Sequence, residues 1–198
     1  MIKIVFNILI CFILVSCTSI PFTASERYTL IKGYTFGFAG DNVTQEDFDN
    51  NTYSFAVAKF GRGPSSKLVL AFIRDGVYEW RSSDNVSIYT KNGIVIKTEG
   101  LTSDISIFED DNTYQIQLTN PSLFKTDTEL SLNESRQRSV RYLDKEIEVE
   151  SLVYNFKVPL IRWNEKILVQ MHKGLPIHTT QRTHPSLSKI HINYFYKF

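Results

Sequence analysis

The chain has 198 residues, with 22 Lys+Arg against 21 Asp+Glu and a formal charge of +1. That balance excludes the strongly basic surface that a nucleic-acid partner requires. With 42% hydrophobic and 13% aromatic residues, the chain has the material for one domain with a sizeable core.

The first element in chain order is a targeting signal. Lys3 gives a small positive start, and residues 4–15 form an apolar run interrupted only by Asn7. The run is too short to span a bilayer, which takes roughly 20 apolar residues, but it suits the core of a secretory signal. It ends in Leu14-Val15-Ser16-Cys17, the pattern of a lipobox. The small Ser16 fits a protease cleft, and only the Cys17 thiol can take a diacylglyceryl thioether. Residues 1–16 are therefore predicted to be a lipoprotein signal peptide, residues 17–27 a lipid-anchored tether, and residues 28–198 a single β domain. Several acyl chains on Cys17 would anchor it stably, since one chain binds only marginally. In enteric bacteria an Asp after the cysteine tends to retain a lipoprotein in the inner membrane, so Thr18 favours the outer membrane. Residues 17–198 hold 21 basic and 21 acidic side chains. Cys11 leaves with the signal and Cys17 is acylated, so no thiol remains for a disulfide, a thiolate metal site or a nucleophile.

Thr44 followed by Asp47 predicts a helix start, and Asn50-Asn51 limits that helix to about two turns. From Tyr53 onward the pattern is of short β-branched and aromatic runs. Residues 67–73 and 77–81 flank Asp75-Gly76, and residues 86–90 and 94–98 flank Asn92-Gly93. Both dipeptides are strong hairpin signals, because they tolerate the positive φ of a type I′ turn. Further turns are predicted at Glu99-Gly100, Asp110-Asp111-Asn112 and Asn120-Pro121. Strand-like runs continue at 114–119, 139–143, 147–158, 167–172 and 190–198. The expected fold is all-β: an antiparallel meander forming a sandwich or partly closed barrel, with one or two short helices.

Residues 68–101, LVLAFIRDGVYEWRSSDNVSIYTKNGIVIKTEGL, resemble the YjbF family, the group 4 capsule (GfcB-type) lipoproteins. The shared pattern falls on Trp80, Asp84, Asn92-Gly93, Thr98 and Gly100-Leu101. The segments 43–46, 61–64 and 140–146, and the tail with Gln181, Pro185 and Lys197, resemble other parts of the family. Where its sequence is tryptophan-rich around an Asn, this chain reads Tyr154-Asn155-Phe156. The resemblance implies an accessory role in capsule or exopolysaccharide export, beside an outer-membrane β-barrel protein and a periplasmic export partner, with no catalytic activity.

Chemical constellations add no catalytic set. His172, His178, His184 and His191 crowd the last 27 residues, but Pro176 and Pro185 are expected to break any single strand that would align them, so they are read as surface or turn residues. There is no G-x-S-x-G elbow. Gly61-Arg62-Gly63-Pro64 lacks the end of a phosphate loop, and Glu109-Asp110-Asp111 lacks the spacing of a calcium loop. No catalytic residue, metal or cofactor is expected. Trp80 with Arg81, Asp84 and Asn85, and Trp163 separately, are candidate contacts for a glycan or a partner, although core packing is the stronger expectation for both tryptophans. Two modes of action remain open: a domain that docks on partner proteins, or a barrel that itself carries glycan or lipid. An aromatic-lined cavity would favour the carrier, and a filled core with an exposed apolar strip the docking domain.

Overall fold

The computed structural model describes residues 42–110, 113–120 and 122–198. Cys17, the signal and the tether lie outside the described residues, as do Asp111, Asn112 and Pro121 of two predicted turns.

The predicted helix start is a capping box. Thr44 Oγ1 accepts from the Asp47 N–H at 3.1 Å, and the Asp47 carboxylate accepts from the Thr44 N–H at 3.0 Å. Bonds donated to it by the Thr44 N–H and then the Thr44 hydroxyl hold the Asp47 carboxyl below its ordinary pKa. The helix, α1 (Gln45–Asn50), is closed by the extended Asn51.

Twelve antiparallel strands follow. They are β1 (Phe55–Phe60), β2 (Ser65–Arg74), β3 (Val77–Arg81), β4 (Ser87–Lys91), β5 (Ile94–Glu99), β6 (Ile105–Asp110), β7 (Thr113–Leu118), β8 (Leu123–Tyr142), β9 (Lys145–Val158), β10 (Trp163–His172), β11 (Leu175–Gln181) and β12 (Ile190–Phe195). Each pairs with its chain neighbours, and β12 pairs with β1, so the meander closes on itself as a barrel. The architecture is all-β as expected, but closure is complete rather than partial. A single ladder, Phe55↔Phe195 to Phe60↔Ile190, removes the two edges that an open sheet would leave.

The hairpin signals stand where the sequence puts them. Asp75-Gly76 and Asn92-Gly93 both lie at positive φ, as type I′ turns require. β6, β11 and the first four-fifths of β8 carry no clear sequence signal. β8 reads as a polar alternation in which most residues face solvent. β11 contains Pro176, which is tolerated because the strand is bulged there: Gln170 pairs with His178 and Met171 with Pro176. Pro176 therefore does not break the strand, contrary to expectation.

The barrel is pinched. β5 and β11 meet across the lumen, where Thr179 Oγ1 donates to the Gly93 carbonyl at 2.6 Å and the Gln181 amide bonds to Val95. Two cores result. One gathers Ala56, Leu68, Trp80, Ile88, Val95, Ile192 and Tyr194. The other gathers Ile94, Ile105, Ile116, Phe156, Trp163, Ile167 and Val169. Val95 and Ile94 are consecutive residues facing opposite cores, so β5 serves as a partition.

The up-and-down order sends alternate turns to opposite ends. At one end the β11–β12 connection folds across the barrel. His184 and Thr183 are fully buried there, Glu165 takes both Arg182 (3.0 Å) and Lys189 (2.7 Å), and the Gly61 N–H donates to the Lys189 carbonyl. At the other end lie the β2–β3, β4–β5 and β6–β7 turns, the start of β1 and the end of β12. That end is open.

The β8–β9 hairpin outgrows the wall. β7 pairs with β8 only as far as Thr128, and β10 with β9 only as far as Glu150. The rest forms an arm. Its Val140 and Tyr142 lie over Leu168, Ile177, His178 and Asn193 on the outer surface. Tyr142 stacks on Phe195 at 5.6 Å and donates its hydroxyl to the Tyr194 carbonyl at 2.9 Å. Phe55, Val57 and Phe195 form an outer cluster roofed by Tyr142, Leu143 and Phe48 of α1.

Candidate functional site

The residues singled out in the sequence do not form one site. Trp80 is fully buried. Its indole N–H donates to Thr90 Oγ1 at 3.0 Å, and its ring lies 5.2 Å from Tyr194 and 5.8 Å from Tyr196. No face of that ring is open to a sugar, because the first core closes around it. Trp163 is also buried, edge-on to Phe156 at 5.1 Å, in the second core. Arg81 is exposed and paired with Glu79 at 2.6 Å. Asp84 and Asn85 form the β3–β4 turn, where Asn85 takes positive φ and Ser82 Oγ accepts from the Asp84 and Val86 N–H groups. Asn suits that left-handed position, so a turn role accounts for it.

The histidines are likewise dispersed. His184 is buried, not on the surface: its Nδ1 accepts from the Ser186 N–H at 3.1 Å, and burial lowers its pKa. His172, His178 and His191 lie half-buried on the outer face of β10 to β12. His172 donates to the Glu148 carbonyl of the arm at 2.8 Å. His178 bridges Asn193 Oδ1 (2.7 Å) and Thr180 Oγ1 (3.0 Å), and Thr180 Oγ1 in turn meets His191 Nδ1 at 3.0 Å. Burial, first of all, lowers the pKa of His178 and His191. Among the described residues no three His, Cys, Asp or Glu side chains stand together as metal ligands.

Two surface features remain, and sequence reasoning finds neither. The first is the mouth of the second core at the open end, a cavity of about 430 Å³. Ile94, Ile96, Ile107, Leu130, Leu132 and Tyr154 line it, with Lys91, Glu109 and Tyr114 at its edge. Lys91 Nζ meets Glu109 at 2.7 Å, and the Tyr114 hydroxyl donates to the same carboxylate at 3.3 Å. The pairing holds Glu109 below its ordinary pKa and raises that of Lys91, while Tyr114 is raised by burial first and then by Glu109. The charged groups are matched to one another, so this edge presents a paired polar rim beside an apolar cavity.

The second feature is exposed apolar surface at both poles. Leu160 and Ile161 of the 3-10 turn Pro159–Ile161 are exposed at the closed end, with Phe124 of β8, 85% exposed, on the same side of the barrel. Tyr53, Phe72, Ile73, Leu132 and Phe198 are exposed at the open end. Alternation marks where a strand faces inward, but it does not say which strand ends stay uncovered, so only the closed barrel identifies these groups.

A family model described as group 4 capsule polysaccharide lipoprotein gfcB, YjbF, matches residues 32–195. The uncharacterized lipoprotein YjbF of Escherichia coli (strain K12) is 32% identical over 91 residues, which span 46% of this chain and 42% of that protein. The match thus covers less than half the length of that relative. The crystal structure of the hypothetical lipoprotein YmcC from Escherichia coli (K12) superposes with a TM-score of 0.67 over 85% of this chain and 95% of that one. At 14% identity that likeness speaks for the fold alone. The match over residues 32–195, which takes in the whole closed barrel from β1 to β12, shows that the chain belongs to the YjbF family of group 4 capsule polysaccharide lipoproteins.

Proposed function

We propose that this lipoprotein is a non-enzymatic accessory component of capsule or exopolysaccharide export. It is acylated at Cys17, held in the outer membrane with its domain facing the periplasm, and acts by contact with an outer-membrane β-barrel protein and a periplasmic export protein. The observation that carries this reading is the exposure of large apolar side chains at both poles, outside the two apolar cores. A large apolar surface is tolerated on a secreted domain when something covers it. Phe124 and Leu160, at the closed pole, are the contacts assigned to protein partners, since exposed aromatic anchors dominate interface energies once buried.

Deletion of the gene should lower surface or secreted polysaccharide without slowing growth. The wild-type gene should restore export, and so should versions carrying His172→Ala, His178→Ala or His191→Ala. Phe124→Ser with Leu160→Ser should restore it poorly at normal protein levels, and Cys17→Ser should accumulate as an unprocessed precursor without palmitate label. Unchanged polysaccharide in the deletion strain would defeat the functional reading. Label on the Cys17→Ser protein would defeat the anchor.

A further inference from the structure

We propose that the open end of the barrel is the surface laid on the lipid bilayer, so that the domain stands on the membrane rather than hanging free from its tether. The inference rests on the Cys17 anchor of the preceding reading and deepens it by fixing orientation. Three observations carry it.

The first is the composition of that end. Tyr53 (69% exposed), Phe72 (68%), Leu132 (56%) and Phe198 (71%) project from four separate elements onto one pole. Lys197 and Ser54 join two of these elements through the Lys197 N–H and Ser54 Oγ at 2.8 Å, so Tyr53 and Phe198 flank one another's strands. Aromatic side chains with one apolar and one polar end, and bare phenyl rings beside them, suit the interface between headgroups and acyl chains.

The second is electrostatic. Two pairs of charges at this end are matched: Lys91 with Glu109 at 2.7 Å, and Arg74 with Asp75 at 3.6 Å. The Lys197 ammonium lies 3.9 Å from the centroid of the Phe48 ring. Long cationic side chains there can keep their heads in the headgroup layer while their stems lie along apolar surface. A matched rim loses less on approaching lipid than a rim of like charges would.

The third is where the chain enters. Asn42 and α1 precede β1, whose first residue is at the open end, and Asn42 lies beside Tyr142 and Asn193 on the flank next to that end. A chain anchored at Cys17 can meet the membrane in more than one orientation, and the wider spread of exposed apolar side chains at this pole selects one. The opposite pole is sealed by the β11–β12 connection and is left to face the periplasm.

The test uses the intact acylated protein in vesicles of phosphatidylethanolamine and phosphatidylglycerol, with bromine on the upper acyl carbons as a contact quencher of tryptophan. Phe198→Trp and Leu132→Trp report the open pole, and Phe124→Trp the closed pole. Subtraction of the wild type removes the emission of the buried Trp80 and Trp163. Loss of the added emission at positions 198 and 132, with the closed-pole signal unchanged, is the expected result. Equal emission from all three positions in brominated and unbrominated vesicles, with the protein floating alongside the lipid, would overturn the orientation and leave the anchor standing. Quenching at the closed pole alone would overturn it in the opposite sense. Failure of the wild-type protein to float with lipid at all would overturn the anchor, and this inference with it.

Discussion

The side-chain amide of Gln181 holds both backbone groups of Val95 across the barrel lumen: Oε1 accepts from the Val95 N–H at 2.9 Å, and Nε2 donates to the Val95 carbonyl at 3.0 Å. Val95 lies next to the bulge in the β4–β5 ladder, where the register shifts between Tyr89 and Thr90. A buried strand cannot leave an N–H and a C=O without partners, and only a primary amide offers one acceptor and one donor at that spacing. Gln181→Leu should therefore cost about 2 kcal/mol or more, since each orphaned buried group costs roughly 1–3 kcal/mol. Denaturant unfolding measures this. A loss under half a kilocalorie would mean that β5 finds other partners. Gln181→Glu should also destabilise, because an ionised carboxylate turns an acceptor toward the Val95 carbonyl.

Gly93 and Gly76 form a matched pair. Both have positive φ, +79° and +75°. A Cβ at Gly93 would sit 2.6 Å from Val169 Cγ1 and 2.8 Å from Pro176 Cβ, whereas a Cβ at Gly76 meets nothing within 4 Å. Gly76→Ala should cost only the left-handed conformation, about 1 kcal/mol. Gly93→Ala should cost that plus overpacking, roughly 2–4 kcal/mol in all, and Gly93→Val more. Equal melting temperatures for the two alanine variants would show that the β4–β5 turn can lift away from β10 and β11.

Tyr142 is the clasp of the arm. Its hydroxyl donates to the Tyr194 carbonyl, and burial pushes its pKa up to about 12. Tyr142→Phe should keep the stack on Phe195 and lose about 1 kcal/mol. Amide exchange should rise in residues 134–150 of the arm before it rises in β10 or β12, since the arm is paired only within its own hairpin while β10 and β12 are paired on both sides. Uniform exchange across barrel and arm would show that the two open together.

Acid should destabilise the domain. The pKa values of His178, His184 and His191 are lowered in the folded protein, chiefly by burial. The unfolded chain therefore takes up protons first as pH falls through about 6.5, and stability drops from there until the folded-state values are passed. The carboxyls of Glu99 and Glu109, lowered by bonds to Lys97 and Lys91 first, extend the loss below about pH 4.5. His178 lies under the arm, beside Arg141 and Tyr142, with His191 beyond Thr180. His178→Asn with His191→Asn should flatten the upper part of the profile of melting temperature against pH. A profile indistinguishable from wild type between pH 7.5 and 5.5 would assign that slope elsewhere.

How much of the fold is legible in the sequence is clearest from particular elements. The helix start at Thr44 and the turns at Asp75-Gly76 and Asn92-Gly93 are legible, because each is decided by two or three adjacent residues and their φ preferences. Most of β8 is not, because 20 residues with solvent on most sides carry no apolar alternation to mark them. β11 is hidden because Pro176 argues locally against a strand, while the bulge that accommodates it exists only through β10. The burial of Trp80 and Trp163 follows from the number of aromatics that one core must absorb. The burial of His184 does not, since a loop residue in a polar stretch looks exposed until the loop is seen to close a barrel end.

The sequence by itself determined an all-β meander, its tightest turns and its family, along with the expectation of a lipid on Cys17, because these depend on local chemistry or on patterns of neighbouring residues. The tertiary structure alone decided that the meander closes, that Gln181 and Thr179 divide the lumen, that the β8–β9 arm clasps Phe195, and that apolar side chains from Tyr53 to Phe198 gather at one pole. Each of these joins residues tens to more than a hundred positions apart, and such contacts depend on register and closure around the whole barrel, which no local window of sequence contains.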